Sequence, residues 1–88
     1  MARSRQAALW DRLSRGDVRN VDFAEFCRWI EAFGFELRRI SGSHHIYRHS
    51  RVPRPLSLQP RNGEAKPYQI AQFMSVVEEF GLSMEAPQ

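Results

Sequence analysis

A chain of 88 residues, 42% apolar and 26% charged, has room for one small globular domain with a modest core. The apolar share excludes a disordered chain, and no apolar run reaches the roughly 18 residues of a membrane span. The net charge of +3, with twelve Arg against the single Lys66, suits a polyanionic partner, although a GC-rich genome produces the same bias.

Met1–Arg5 is basic, but no 7–15-residue apolar stretch follows, so a signal peptide is not expected. Ser4 to Arg15 reads as a short helix with Ala7, Ala8, Leu9, Trp10 and Leu13 as apolar members and Gly16 as its stop. Gly16 to Asn20 is a polar connector. A second helix is better marked. Asp22 is an N-cap with Glu25 three residues on, and Val21 and Phe26 can staple its entry. Phe23, Phe26, Cys27, Ile30 and Phe33 form one stripe, and Gly34 ends it.

The period then changes to two. Phe35 to Ile40 reads as a strand, Ser41-Gly42-Ser43 as a tight turn, and His44 to His49 as the hairpin partner. If Phe35 and Leu37 face the core, Arg39 shares their face and Arg38 points to the open one. Ser50 to Pro55 is a loop, Leu56 to Gln59 a short third strand, and Arg61 to Glu64 a turn. Pro67 starts a last helix with Ile70, Phe73, Met74, Val77 and Phe80 on its stripe, and Gly81 ends it. The predicted fold is α+β, in the order α-α-β-β-β-α, with a three-stranded antiparallel sheet and helices on one face.

Charge is unevenly placed. Phe35 to Arg54 holds five Arg, all three His and one acid, whereas Met74 to Gln88 holds three acids and no cation. That is the electrostatic footprint of a nucleic-acid face. Within it, Gly42 to His49 is the densest chemical segment. RNA carries its own nucleophile, the 2′-hydroxyl, so one positioned His can act as general base or acid and nearby cations can stabilise the transition state. Gly42 allows close backbone approach and Ser43 can hold a phosphate. Lys66 stands where a helix start also favours an anion, and a solvated surface Lys reads equally well there. Three His at a hairpin can also be plain solvated residues. The spacing does not favour a metal site: His45 and His49 share a face but lie far apart, and His44 points away from both. Cys27 sits on an apolar stripe as a core residue, and a lone Cys fits a reducing cytoplasm without a disulfide. Trp10 and Trp29 read as packing residues.

Phe33-Gly34-Phe35, the run Gly42-Ser43-His44-His45-Ile46-Tyr47-Arg48-His49, and Ala65-Lys66-Pro67-Tyr68-Gln69-Ile70 resemble the HicA (YcfA-like) family of type II toxins over residues 21 to 82. The resemblance implies a fold like a double-stranded RNA-binding domain and endoribonuclease (mRNA interferase) activity. It also implies a HicB-type antitoxin partner. The histidine directly after the glycine-serine pair, here His44, is the family's catalytic one. Two departures stand out: Tyr68 follows Lys-Pro where the family often has Gly, and about twenty N-terminal residues precede the match, as in a longer subgroup.

The expected organisation is an N-terminal helical extension and connector over 1–20, the RNA-binding and ribonuclease domain over 21–82, and a frayed tail over 83–88. The expected protein is a cytoplasmic toxin acting on mRNA, without membrane, metal or small-molecule cofactor. His44 is its catalytic residue, and Gly42, Ser43, Arg38, Arg48 and Lys66 contact substrate. The competing expectations are a non-catalytic RNA-binding module of the same fold and a protein-interaction domain that uses the basic face.

Overall fold

The computed structural model describes residues 5–84, so the expected helix start at Ser4 and the tail at 85–88 lie outside the described residues. Six elements follow one another: α1 (Arg5–Ser14), α2 (Phe23–Ala32), β1 (Glu36–Ser41), β2 (His44–Arg48), β3 (Leu56–Leu58) and α3 (Pro67–Phe80). The strands form an antiparallel sheet in the order β1-β2-β3. This is the α+β arrangement expected from the sequence. Among the described residues, no helix is long and apolar enough to cross a membrane.

Local chemistry sets the element ends. The Asp22 carboxylate accepts the Glu25 N–H at 3.0 Å and caps α2, a bond worth about 1 kcal/mol. Pro67 occupies the first turn of α3, and Gly81 ends that helix in the left-handed region. In the connector between α1 and α2, Arg12 donates to Asp17 at 3.0 Å and to the Arg19 carbonyl. Arg61 and Glu64 exchange two backbone hydrogen bonds of 2.9 Å around Asn62 and Gly63, both at positive φ, the pattern of a type I′ turn. That turn also fastens the start of α2: Gly63 accepts from the Phe23 N–H, and Val21 accepts from the Ala65 N–H.

The core lies between the sheet and the helices α2 and α3. Phe73, fully buried, stands within 5.1–6.0 Å of the rings of Phe26, Trp29, Phe33 and Phe35. Trp10 of α1 packs on Trp29 and Phe33, so both tryptophans are packing residues as expected. Trp29 Nε1 is buried with no hydrogen-bond partner, which is a cost within this cluster. Tyr47, Leu56 and Leu58 point into the core from the sheet. Met84 packs against the same cluster. Buried Cys27 has its thiol pKa raised, chiefly by desolvation, so it remains the inert core residue the stripe suggested.

One strand reading needs correction. Strict alternation puts Arg39 on the face of Leu37. The register shifts between Leu37 and Arg39, however: Leu37 pairs with Tyr47, and Arg39 pairs with Ile46. The intervening Arg38 is a bulge. Ile46 pairs with Ser57 and faces away from the core, so Arg39 joins it on the open face. The bulge sends both guanidiniums to solvent, where strict alternation would have placed one of them under the helices. Leu37 and Ile40 take the helix side but remain 42% and 55% exposed, because β1 is the sheet's edge.

Phe73→Ala removes the ring that four other aromatic side chains touch. The expected loss is about 3–5 kcal/mol, most of the stability of a domain this size. Urea unfolding followed by tryptophan fluorescence measures it; a loss below about 1 kcal/mol contradicts this packing.

Candidate functional site

The hairpin turn puts the chemistry in place. Gly42, between Ser41 and Ser43, has φ of 60°, while Ser43 does not have a positive φ, which matches a type II′ turn with glycine first. A Cβ at Gly42 would meet nothing within 4 Å, so the position calls for glycine through its conformation and not through lack of space. His44 opens β2 opposite Ser41 on the open face and is exposed. Neither of its ring nitrogens has a hydrogen-bond partner among the described residues.

The other two histidines are engaged. His45 pairs with Leu58 on the helix side, stacks edge-on against Phe23 at 4.9 Å, and its Nδ1 lies 3.3 Å from the Ser43 carbonyl. His49 is held at both nitrogens. Nδ1 accepts the Arg51 N–H at 3.0 Å, which leaves Nε2 to donate to the Phe33 carbonyl at 3.1 Å. The two bonds select the Nε2–H tautomer and place the ring edge-on to Phe35 at 5.0 Å. Three histidines within six residues thus have three different settings, and only His44 has both ring nitrogens without a hydrogen bond. No group of three or more His, Cys, Asp or Glu among the described residues is placed to hold a metal ion.

Ser43 and Lys66 are brought together by a residue that sequence reading passed over. Gln59, just after β3, donates from Nε2 to Ser43 Oγ at 2.9 Å. Its Oε1 accepts from Lys66 Nζ at 3.5 Å. Its backbone N–H donates to Oε1 of Gln69, the buried polar side chain of α3, at 3.2 Å. Gln59 therefore ties the turn before His44 to the start of α3. No local signal marks it, because its partners Ser43, Lys66 and Gln69 lie in other segments of the chain. Lys66 also borders a hollow of about 270 Å³ together with Arg19 and Arg61.

Arg38 and Arg48 lie elsewhere. They border one cleft of about 400 Å³ with Gly34, Glu36, His49 and Ser50. Arg48 stands four residues beyond His44 on β2, about 13 Å away at roughly 3.3 Å per residue. The expected contact residues therefore form two groups: Gly42, Ser43 and His44 at the turn with Lys66 reached through Gln59, and Arg38 and Arg48 at the other end of the hairpin. Two other cations of the basic segment are structural. Arg51 donates to the Phe80 carbonyl at 2.9 Å, and Arg54 pairs with Glu79 at 3.3 Å, both at the acidic end of α3.

The settings of the histidines predict a split in stability. His49→Ala loses two hydrogen bonds in a part-buried site and costs about 1–3 kcal/mol. His44→Ala, at an exposed and unbonded ring, stays within about 0.5 kcal/mol of wild type. Parallel denaturant titrations of the two variants measure this split; equal losses contradict it.

No curated protein and no solved structure matches the chain. A family model described as the HicA toxin of bacterial toxin-antitoxin matches residues 23–81, well over half of the chain. The matched span opens at the first residue of α2, ends at the glycine that closes α3, and contains the hairpin, Gln59 and Lys66. The chain belongs to the HicA toxin family, and that membership implies an antitoxin partner.

Proposed function

We propose that this toxin is an endoribonuclease that cleaves mRNA without a metal, with His44 as the proton carrier. The observation that supports the reading most strongly is the free imidazole of His44. It stands exposed on an open sheet face with Arg38, Arg39 and Arg48, beside the chain of bonds through Ser43, Gln59 and Lys66. Neutral His44 takes the proton of a ribose 2′-hydroxyl as the 2′-oxygen bonds to phosphorus. The bond from phosphorus to the 5′-oxygen then breaks, and the proton now on the imidazole is given to that departing oxygen. The products are a 2′,3′-cyclic phosphate and a 5′-hydroxyl, and the electron count is unchanged. Lys66 and the Ser43 hydroxyl stabilise charge on the phosphate oxygens in this reading. Gly42 lets the backbone approach, and Arg38 and Arg48 contact backbone phosphates.

A HicB-type antitoxin would silence this chemistry most directly by covering His44. With the purified toxin and a long transcript, wild type is expected to produce fragments. His44→Ala, still folded, is expected to leave the transcript intact and no longer arrest growth, with cleavage reduced by about 10²-fold or more. A His44→Ala variant that still cuts RNA, or an antitoxin complex with His44 open to solvent, contradicts the proposal. A transcript that is bound but never cut identifies a non-catalytic RNA-binding module.

A further inference from the structure

The candidate contacts fall into two separate groups, and a single scissile phosphate at His44 occupies only one of them. The second group surrounds the 400 Å³ cleft at the far end of the hairpin. The Arg48 guanidinium is exposed and has no ion-pair or hydrogen-bond partner among the described residues. Arg38 is paired with Glu36 at 3.3 Å, with the two side chains 60% and 71% exposed. A pair so solvated contributes at most about 1 kcal/mol and yields readily to a stronger anion. Two guanidiniums facing one cleft are a suitable donor set for a phosphate, which each can bind bidentately. His49 contributes no donor to the cleft, because its Nε2 proton is committed to Phe33 and its Nδ1 to Arg51. Ser50 also borders the cleft.

We infer that this cleft is a second phosphate subsite, which holds a backbone phosphate flanking the one at His44. The inference rests on the proposed action on RNA. It adds that the preferred ligand is a strand of several nucleotides lying along β2, and that a dinucleotide, which reaches only the His44 end, binds poorly. Glu36 acts as a counter-charge to Arg38 in the cleft, so its removal strengthens strand binding.

The test uses 2′-O-methyl RNA, which the 2′-hydroxyl chemistry cannot cleave, as an octamer and as a dinucleotide, with binding followed by fluorescence anisotropy at several salt concentrations. Wild type is expected to bind the octamer at least about tenfold more tightly than the dinucleotide. Arg48→Gln is expected to reduce that ratio about tenfold and to lower the salt dependence of octamer binding by about one phosphate contact. Glu36→Gln is expected to raise the ratio. Arg54→Gln removes the same charge at the Glu79 pair and should leave the ratio at the wild-type value. An Arg48→Gln ratio equal to wild type, or an Arg54→Gln loss as large as that of Arg48→Gln, overturns the subsite. The same holds if wild type binds both probes alike. Cleavage of the unmodified octamer is scored separately. Failure to cut it overturns the nuclease reading, whereas the length dependence of binding decides the subsite.

Discussion

The chemistry of the open face depends on the burial of Tyr47. Its side chain is 1% exposed, and its hydroxyl donates to a Glu31 carboxylate oxygen of α2 at 3.0 Å. Desolvation, followed by its bonds to Cys27 and Glu31, raises its pKa far above the usual phenol value, so it stays a neutral donor. Side chains on a strand alternate, so with Tyr47 held inward, His44, Ile46 and Arg48 must point outward. A slip of one residue would bury His44 and Arg48 beneath the helices, where a charged guanidinium is costly. One anchored ring therefore decides which histidine meets solvent.

The β1 strand completes the arrangement. The bulge at Arg38 keeps both neighbouring arginines on the open face while Leu37 and Ile40 stay on the helix side. The β1–β2 turn then sets His44 at one end of this cationic face, and Gln59 connects that end to Lys66. The cations that follow the hairpin serve a different purpose, because Arg51 and Arg54 fasten the loop to the end of α3. A basic segment in sequence is thus divided in space between a face that can meet a polyanion and a brace that holds the fold.

Much of this architecture could be read from the chain, since it rests on local signals. The Asp22 cap, the stripe from Phe23 to Phe33, the glycine turn before His44 and the Pro67 start are each decided within a few residues. Their outcomes follow those signals. What could not be read depends on partners distant in sequence. The bulge that moves Arg39 comes from pairing with β2, and alternation alone cannot show it. The role of Gln59 appears only when β3, the hairpin turn and α3 meet. Burial of Gln69 belongs to the same junction, and a helical stripe of apolar residues gives no hint of it. The difference between His44 and His49 was half legible. Alternation separates His44 from His45, but the carbonyl that holds His49 lies sixteen residues away.

The most direct test of the central claim replaces a single 2′-hydroxyl. A short RNA that the toxin cuts at one linkage is prepared again with 2′-deoxyribose at the nucleotide 5′ to that linkage. Attack by the 2′-oxygen with His44 as proton carrier predicts that the all-ribose strand ends in a 2′,3′-cyclic phosphate and that the deoxy-substituted strand survives intact. Cutting of the deoxy-substituted linkage, or products ending in a 5′-phosphate and a 3′-hydroxyl, would contradict that chemistry.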